Sequence, residues 1–190
     1  MNSKEIAVSI ALGAQTMRVG TLWFNERSGR QAASFQYDKK WLQHSAAFAI
    51  DPFLTLSEGV FHARQSSSIF GAIGDTAPDR WGRILMRRAQ LVHAKKNNIT
   101  PRTLLESDYL LGVSDEARQG ALRFSLPLQE DYFLAPPQKN SIPPLIELPA
   151  LLAATERFMQ DNESAQDLIL LLAPGSSLGG ARPKASIKDK

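Results

Sequence analysis

Apolar and polar residues alternate along the first forty positions, and this period of two predicts strands. Glu5-Ile6-Ala7-Val8-Ser9-Ile10 alternates as a half-buried strand does. Met17 to Phe24 reads likewise, with Val19, Leu22 and Phe24 β-prone. Asn25-Glu26-Arg27-Ser28-Gly29-Arg30 looks like a hairpin turn leading into Gln31 to Tyr37. Phe48 to Leu56, interrupted by Asp51-Pro52, predicts a further short strand. The pattern is that of an antiparallel meander.

From Phe70 the period becomes helical. Thr76-Ala77-Pro78-Asp79 carries a start signal: Thr as N-cap, Pro in the first turn, an acid three residues after the cap. Trp81, Leu85, Ala89 and Val92 then share one face, with Ile84 beside them, and Arg80, Arg83 and Arg87 lie on a neighbouring face. This helix is expected to end near Asn97-Asn98. Thr100-Pro101 reads as the start of another, carrying Leu104, Leu105, Tyr109 and Leu111 and closed by Gly112 as the residue after its cap. Gly120 to Leu126 returns to a strand pattern. Pro136, Pro137, Pro143 and Pro144 mark residues 135–145 as a linker by composition. Beyond it come a helix with Leu148, Leu151, Leu152, Phe158 and Met159, then a short apolar helix at 165–172 capped within Asn162-Glu163-Ser164. The expected organisation is a first unit at 1–134, a Pro-rich linker at 135–145 and a second unit at 146–190. The expected fold class is α+β, with an N-terminal antiparallel β meander or small barrel packed with helices, then further helices.

Composition changes this picture little. The chain of 190 residues is 43% hydrophobic and 22% charged, as an ordinary globular domain is. No apolar run approaches the roughly 20 residues that span a bilayer. The first residues lead into strand-like sequence and not into a signal peptide, so no membrane association and a cytoplasmic location are expected. There is no cysteine, which excludes disulfides and thiolate metal sites. A net charge of +3 is too weak to argue for nucleic acid, although Arg80, Arg83, Arg87, Arg88, Lys95, Lys96 and Arg102 fall in one short region. That region is read either as the solvated face of a capped helix anchored by Trp81 or as a contact surface for an acidic partner or phosphate backbone. His44, His62 and His93 have no ligand spacing, and no tightly bound metal is expected.

The candidate chemistry lies in Gly175-Ser176-Ser177-Leu178-Gly179-Gly180-Ala181-Arg182-Pro183-Lys184. Glycines allow positive φ and close approach, so such a loop presents backbone N–H groups to anions. Gly175 to Gly179 fits the G-x-S-x-G nucleophile elbow, but an elbow needs a strand before it and a histidine after it. The preceding pattern is helical and all three histidines come earlier. A P-loop needs Lys-Ser/Thr after its last glycine, where this chain has Ala181-Arg182. The plain alternative is a Gly-Ser turn joining a helix to a strand.

Three segments in order resemble the N-terminal half of the HipA family, the Ser/Thr kinase toxins of bacterial toxin–antitoxin pairs. They are Phe70-Gly71-Ala72-Ile73-Gly74-Asp75 through Trp81-Gly82-Arg83; Asp108 to Asp115 with Arg118 to Phe124; and Ser176 to Lys184. The resemblance implies that the C-terminal part is the start of a kinase-like N-lobe, and that the third segment is its glycine-rich loop over the ATP phosphates. Ser176, Ser177, Gly179, Gly180, Ala181 and Lys184 would be its cofactor-binding residues, and Ser177 would be the site of regulatory autophosphorylation. ATP and Mg²⁺ would be the cofactors of the full kinase, with none tightly bound here. A strand starting at Lys184-Ala185-Ser186-Ile187 is implied next. The family's ATP-pairing lysine, metal ligands and catalytic aspartate would lie further on, so no catalytic residue is assigned and the 190-residue chain is expected to be inactive alone. It is either the front of a longer kinase or a separate module working beside a kinase subunit. The implied partner is a helix-turn-helix antitoxin of HipB type, with DNA reached only through it. An aminoacyl-tRNA synthetase is the implied class of protein substrate. The other class of function is a non-catalytic binding module that docks the antitoxin or a kinase subunit.

Overall fold

The computed structural model of the protein describes residues 2–27, 29–64, 68–127, 147–175 and 179–187. The Pro-rich stretch at 135–145 lies outside them. The described residues fall into two compact units. The first lies within Met1–Thr76, Leu105–Ser107 and Gly120–Leu134, and the second within Ala77–Leu104, Asp108–Gln119 and Ala135–Lys190.

The first unit is built on a five-stranded antiparallel sheet. In chain order its strands are β1 (Asn2–Leu12), β2 (Gln15–Arg27), β3 (Arg30–Tyr37), β4 (Val60–His62) and β5 (Leu122–Ser125). Their order across the sheet is β4-β3-β2-β1-β5, so the expected meander is present and β5 joins its free edge. β1 is paired on both sides and its residues Ile6 to Ile10 are all buried, Ser9 included, which differs from the half-buried strand its alternation suggests. Small side chains, Ala7 and Ser9, allow both faces to be covered. Two short helices, α1 (Lys39–Leu42) and α2 (Gly71–Gly74), belong to the same unit.

The β1–β2 register slips between Val8 and Ser9. Val8 pairs with Gly20 while Ser9 pairs with Arg18, leaving Val19 as the extra residue of a bulge. A Cβ at Gly20 would lie 2.2 Å from the Gln36 carbonyl oxygen and 2.6 Å from the Phe35 ring. Glycine is therefore required here for space. Phe35 stands edge-on to Tyr37, with ring centroids 5.0 Å apart.

Residues 48–56 form no strand, against expectation. The buried Tyr37 hydroxyl donates to the Leu54 carbonyl at 2.7 Å and receives the Ile50 N–H at 3.1 Å. Burial pushes that hydroxyl's pKa up. The buried Asp51 carboxylate receives the N–H groups of Phe53 and Ala72, each at 2.8 Å. Side chains satisfy these backbone groups, so the segment is a packed loop and the fourth strand comes later, at Val60.

The second unit is helical. Its helices are α3 (Arg80–Lys96), the part of α4 (Glu106–Leu111) from Asp108, α5 (Leu148–Met159) and α6 (Ala165–Gly175). Trp81 and Leu85 of α3 pack with Leu151, Ala154 and Phe158 of α5 and with Leu168 and Leu171 of α6. Each set recurs at three- to four-residue spacing, the condition for one buried stripe per helix. α3 ends at Lys96 as expected, with Asn98 at φ +51 closing it.

Three helix boundaries depart from expectation. The N-cap of α3 is Asp79, whose carboxylate receives the Arg80 N–H at 2.7 Å. Thr76 instead donates its hydroxyl to the Ile73 carbonyl, so it completes the turn after α2. No helix starts at Thr100-Pro101. α4 starts at Glu106, where the Gln31 side-chain amide receives the Ser107 N–H at 3.0 Å and donates to the Ser107 hydroxyl at 2.9 Å. That capping group comes from β3, 76 residues away. Gly112 is not left-handed. Its role is spatial, because a Cβ would meet Met86 Cε at 2.2 Å. The carbonyls of Leu110 and Val113 are held by the buried Arg118 guanidinium at 2.9 and 3.1 Å.

Gly20→Ala is expected to lower stability by about 2 kcal/mol, because its neighbour is backbone and cannot move aside. Gly13 has φ +61 but open space around it. Gly13→Ala is expected to cost only about 1 kcal/mol of conformational strain. Urea unfolding of both variants checks the ranking, and equal losses would contradict it.

Candidate functional site

α6 delivers the chain to the glycine-rich loop, and its start is firmly held. The Ser164 hydroxyl receives the Asp167 N–H at 3.1 Å, while the Asp167 carboxylate receives the Ser164 N–H and hydroxyl, both at 2.9 Å. This is a reciprocal cap. Arg157 of α5 grips the same carboxylate at two points, 2.9 and 2.5 Å. The Arg157 guanidinium, helped by both Ser164 bonds, holds the Asp167 carboxyl far below the usual carboxylate range against the opposing effect of burial.

Two arginines of the basic stretch of α3 are used inside the unit. Arg83 donates to the Pro78 carbonyl at 2.9 Å and lies over the Tyr109 ring at 4.4 Å. Arg88 donates to Glu163 at 2.8 Å, to Asp161 at 2.5 Å and to the Phe158 carbonyl at 3.2 Å, and covers the Phe158 ring. Arg80 and Arg87 are exposed. Of the face read as Arg80, Arg83 and Arg87, packing thus takes Arg83 and leaves the other two in solvent.

Ser176 and Ser177 lie outside the described residues. From Gly179 the chain turns back onto the start of α3. The Gly180 N–H donates to the Asp79 carboxylate at 2.5 Å. The Gly180 carbonyl receives the Trp81 N–H at 2.9 Å, one of the first-turn amides that a helix cannot satisfy itself. The Trp81 indole N–H reaches the Lys184 carbonyl at 3.1 Å. Lys184 in turn donates its ammonium to the Gly179 carbonyl. Gly180 has φ +93, and a Cβ there would lie 2.8 Å from Lys184 Nζ. A Cβ at Gly175 would lie 2.9 Å from Trp81 Nε1 and 3.0 Å from the Lys184 carbonyl oxygen. Gly179, Ala181 and Lys184 are exposed.

The Gly180 amide, then the Arg80 amide, draw the Asp79 carboxyl below its ordinary pKa, with Arg83 and Lys184 adding their charge. A glycine turn with an exposed N–H and a nearby ammonium suits an anion, and the anion it meets here is Asp79.

The strand expected from Lys184 to Ile187 is not formed. Ser186 donates to the Pro174 carbonyl at 2.9 Å, but no ladder follows among the described residues. The loop follows a helix, as its pattern indicates, so the strand of a nucleophile elbow is lacking. The histidines are engaged separately: His62 Nδ1 with the Ser34 hydroxyl at 3.0 Å, His44 Nδ1 with the Ala46 N–H at 3.1 Å, and His93 in the last turn of α3. Among the described residues no group of His, Asp or Glu is placed to hold a metal ion, and no helix is long and apolar enough to cross a membrane.

Residues 10–107 match the family described as HipA N-terminal domain, which is more than half of the chain. The chain belongs to that family. The HipA match takes in most of the sheet, α2, α3 and the Asp79–Trp81 side of the loop contact. It stops before Asp108, so the glycine-rich loop lies beyond it. No curated protein matches the chain. Within this HipA domain, sequence reasoning missed Asp79 and Trp81 as the residues that hold the loop. It read Asp79 as an acid inside the helix and Trp81 only as a core anchor. Their second partners are about a hundred residues away and leave no local signal.

A carboxyl with a depressed folded pKa stabilises above its ordinary value, 3.8, and that stability is lost as pH falls below it toward the folded value. Asp167→Asn is therefore expected to destabilise the protein at neutral pH and to flatten the decline in Tm between about pH 4 and pH 2. Thermal melts across that range check it. Trp81→Phe keeps an aromatic ring but loses the bond to Lys184 and part of the buried indole. It is expected to cost about 2 kcal/mol or more and to speed tryptic cleavage after Lys184; an unchanged cleavage rate would contradict the loop docking described above.

Proposed function

We propose that this chain is the N-terminal part of a HipA-like Ser/Thr protein kinase toxin and that it supplies the loop covering the ATP phosphates. The observation that carries this is the glycine turn at Gly179-Gly180, anchored by Trp81, with the Gly180 amide on a carboxylate and the Lys184 ammonium folded onto the Gly179 carbonyl of the same turn. Phosphoryl transfer depends on positioning and on neutralising phosphate charge, and backbone amides with a lysine do both. Ser176, Ser177, Gly179, Gly180, Ala181 and Lys184 form the proposed nucleotide-contacting loop, with Ser177 its autophosphorylation site. Residues 146–190 are then the opening of the kinase N-lobe. ATP with Mg²⁺ supplies the transferred phosphoryl group. The ATP-pairing lysine, metal ligands and catalytic aspartate come from the rest of the kinase, so these 190 residues alone do not catalyse transfer. A cytoplasmic location and a HipB-type antitoxin belong to the same reading. An aminoacyl-tRNA synthetase as substrate rests on resemblance alone.

A docking role for the first unit is favoured by a separate observation. Val60 on the edge strand β4 is 50% exposed, and Phe53, whose ring carries the Arg64 guanidinium at 3.8 Å, is 57% exposed. Apolar side chains beside an open strand edge suit a protein partner.

Joined to the remainder of the kinase and given Mg-ATP, the chain is expected to gain phosphate on Ser177, and Ser177→Ala is expected to remove it by peptide mass spectrometry. Equal labelling of another residue would sink the assignment. For docking, a HipB-type antitoxin is expected to bind the chain, with Phe53→Ala plus Val60→Ala weakening capture at least tenfold.

A further inference from the structure

We propose that Asp79 is an internal competitor for the anion taken by the glycine-rich loop, so that the loop must release Asp79 before it engages a phosphate ester. The inference rests on the phosphate-loop reading and adds its regulation. Helix capping explains only one of the two oxygens of Asp79. Oδ1 receives the Arg80 N–H and completes the cap of α3. Oδ2 receives the Gly180 N–H, across 101 residues, and contributes nothing that a cap needs. An amide has one proton, so Gly180 cannot give a full hydrogen bond to Asp79 and to a phosphate oxygen together.

Charge acts in the same direction. The carboxylate lies in the field of Arg83, which is held on the Pro78 carbonyl, and of Lys184, the exposed cation of the turn. It lowers their net positive potential while it stays docked. The contact is solvent-exposed, and exposed charge-assisted bonds exchange readily. The two Trp81 bonds sit apart from this exchange. They hold the Gly180 and Lys184 carbonyls, which a phosphate does not compete for, so the loop stays tethered as its amide changes partner.

The test uses the 190-residue chain, with tripolyphosphate titrated at constant ionic strength and the Gly180 amide followed by NMR. Asp79→Ser keeps a good N-cap but removes the charge and the reach to Gly180. It is expected to bind tripolyphosphate about fivefold or more tighter than the parent, with faster exchange of the free Gly180 amide. If both proteins bind equally at Gly180, the competitor role is overturned and the phosphate loop stands. If Gly180 responds in neither protein, the phosphate-loop reading falls and takes this inference with it. Should Asp79→Ser lose the near-ultraviolet signal of Trp81, Asp79→Asn, which keeps a cap acceptor, is read by the same criteria.

Discussion

Trp81 joins the helical core to the loop through a single residue. Its ring stands edge-on to Phe158 at 5.0 Å and packs with Leu85, Leu168 and Leu171. Its indole N–H and backbone N–H both donate to the segment after α6. A buried indole needs a partner for its N–H, and a helix start needs acceptors for its first amides. The loop meets both needs with the carbonyls of Lys184 and Gly180. Loop geometry is therefore a consequence of how α3, α5 and α6 pack. Gly175 fits the same logic, since any Cβ there would strike the indole or the Lys184 carbonyl.

Four arginines of the helical unit serve its construction. Arg83, Arg88, Arg118 and Arg157 all serve carbonyls, carboxylates or aromatic faces of their own unit. Two of them bind carbonyls at or near helix ends, where a guanidinium satisfies groups the helix leaves open. Lys184 and Asp79 differ from these because both groups are exposed.

How far the fold was legible depended on the range of the forces involved. The meander, the end of α3, the Ser164 cap and β5 were all readable, because alternation, helical spacing and cap residues act over a few positions. Family membership was also readable from the order of short segments, and the HipA match over residues 10–107 supports it. The failures have one cause. Phe48 to Leu56 looked β-prone, but Tyr37 and Asp51 took its backbone groups. Thr100-Pro101 looked like a helix start, but Gln31 placed the start at Glu106. Thr76 had the chemistry of a cap, but the preceding turn used its hydroxyl first.

The chain's own order of residues determined most of the strands and helices, that the class is α+β, and that a glycine turn with a lysine stands after α6. Only the tertiary structure decided what that turn touches. Asp79 and Gly180 are 101 residues apart, and nothing in either neighbourhood encodes the other. Their contact exists because three apolar stripes pack around Trp81 and bring the end of α6 back to the start of α3. Periodicity is a local property of a sequence, whereas the meeting of a carboxylate and an amide is set by packing, which local patterns do not contain.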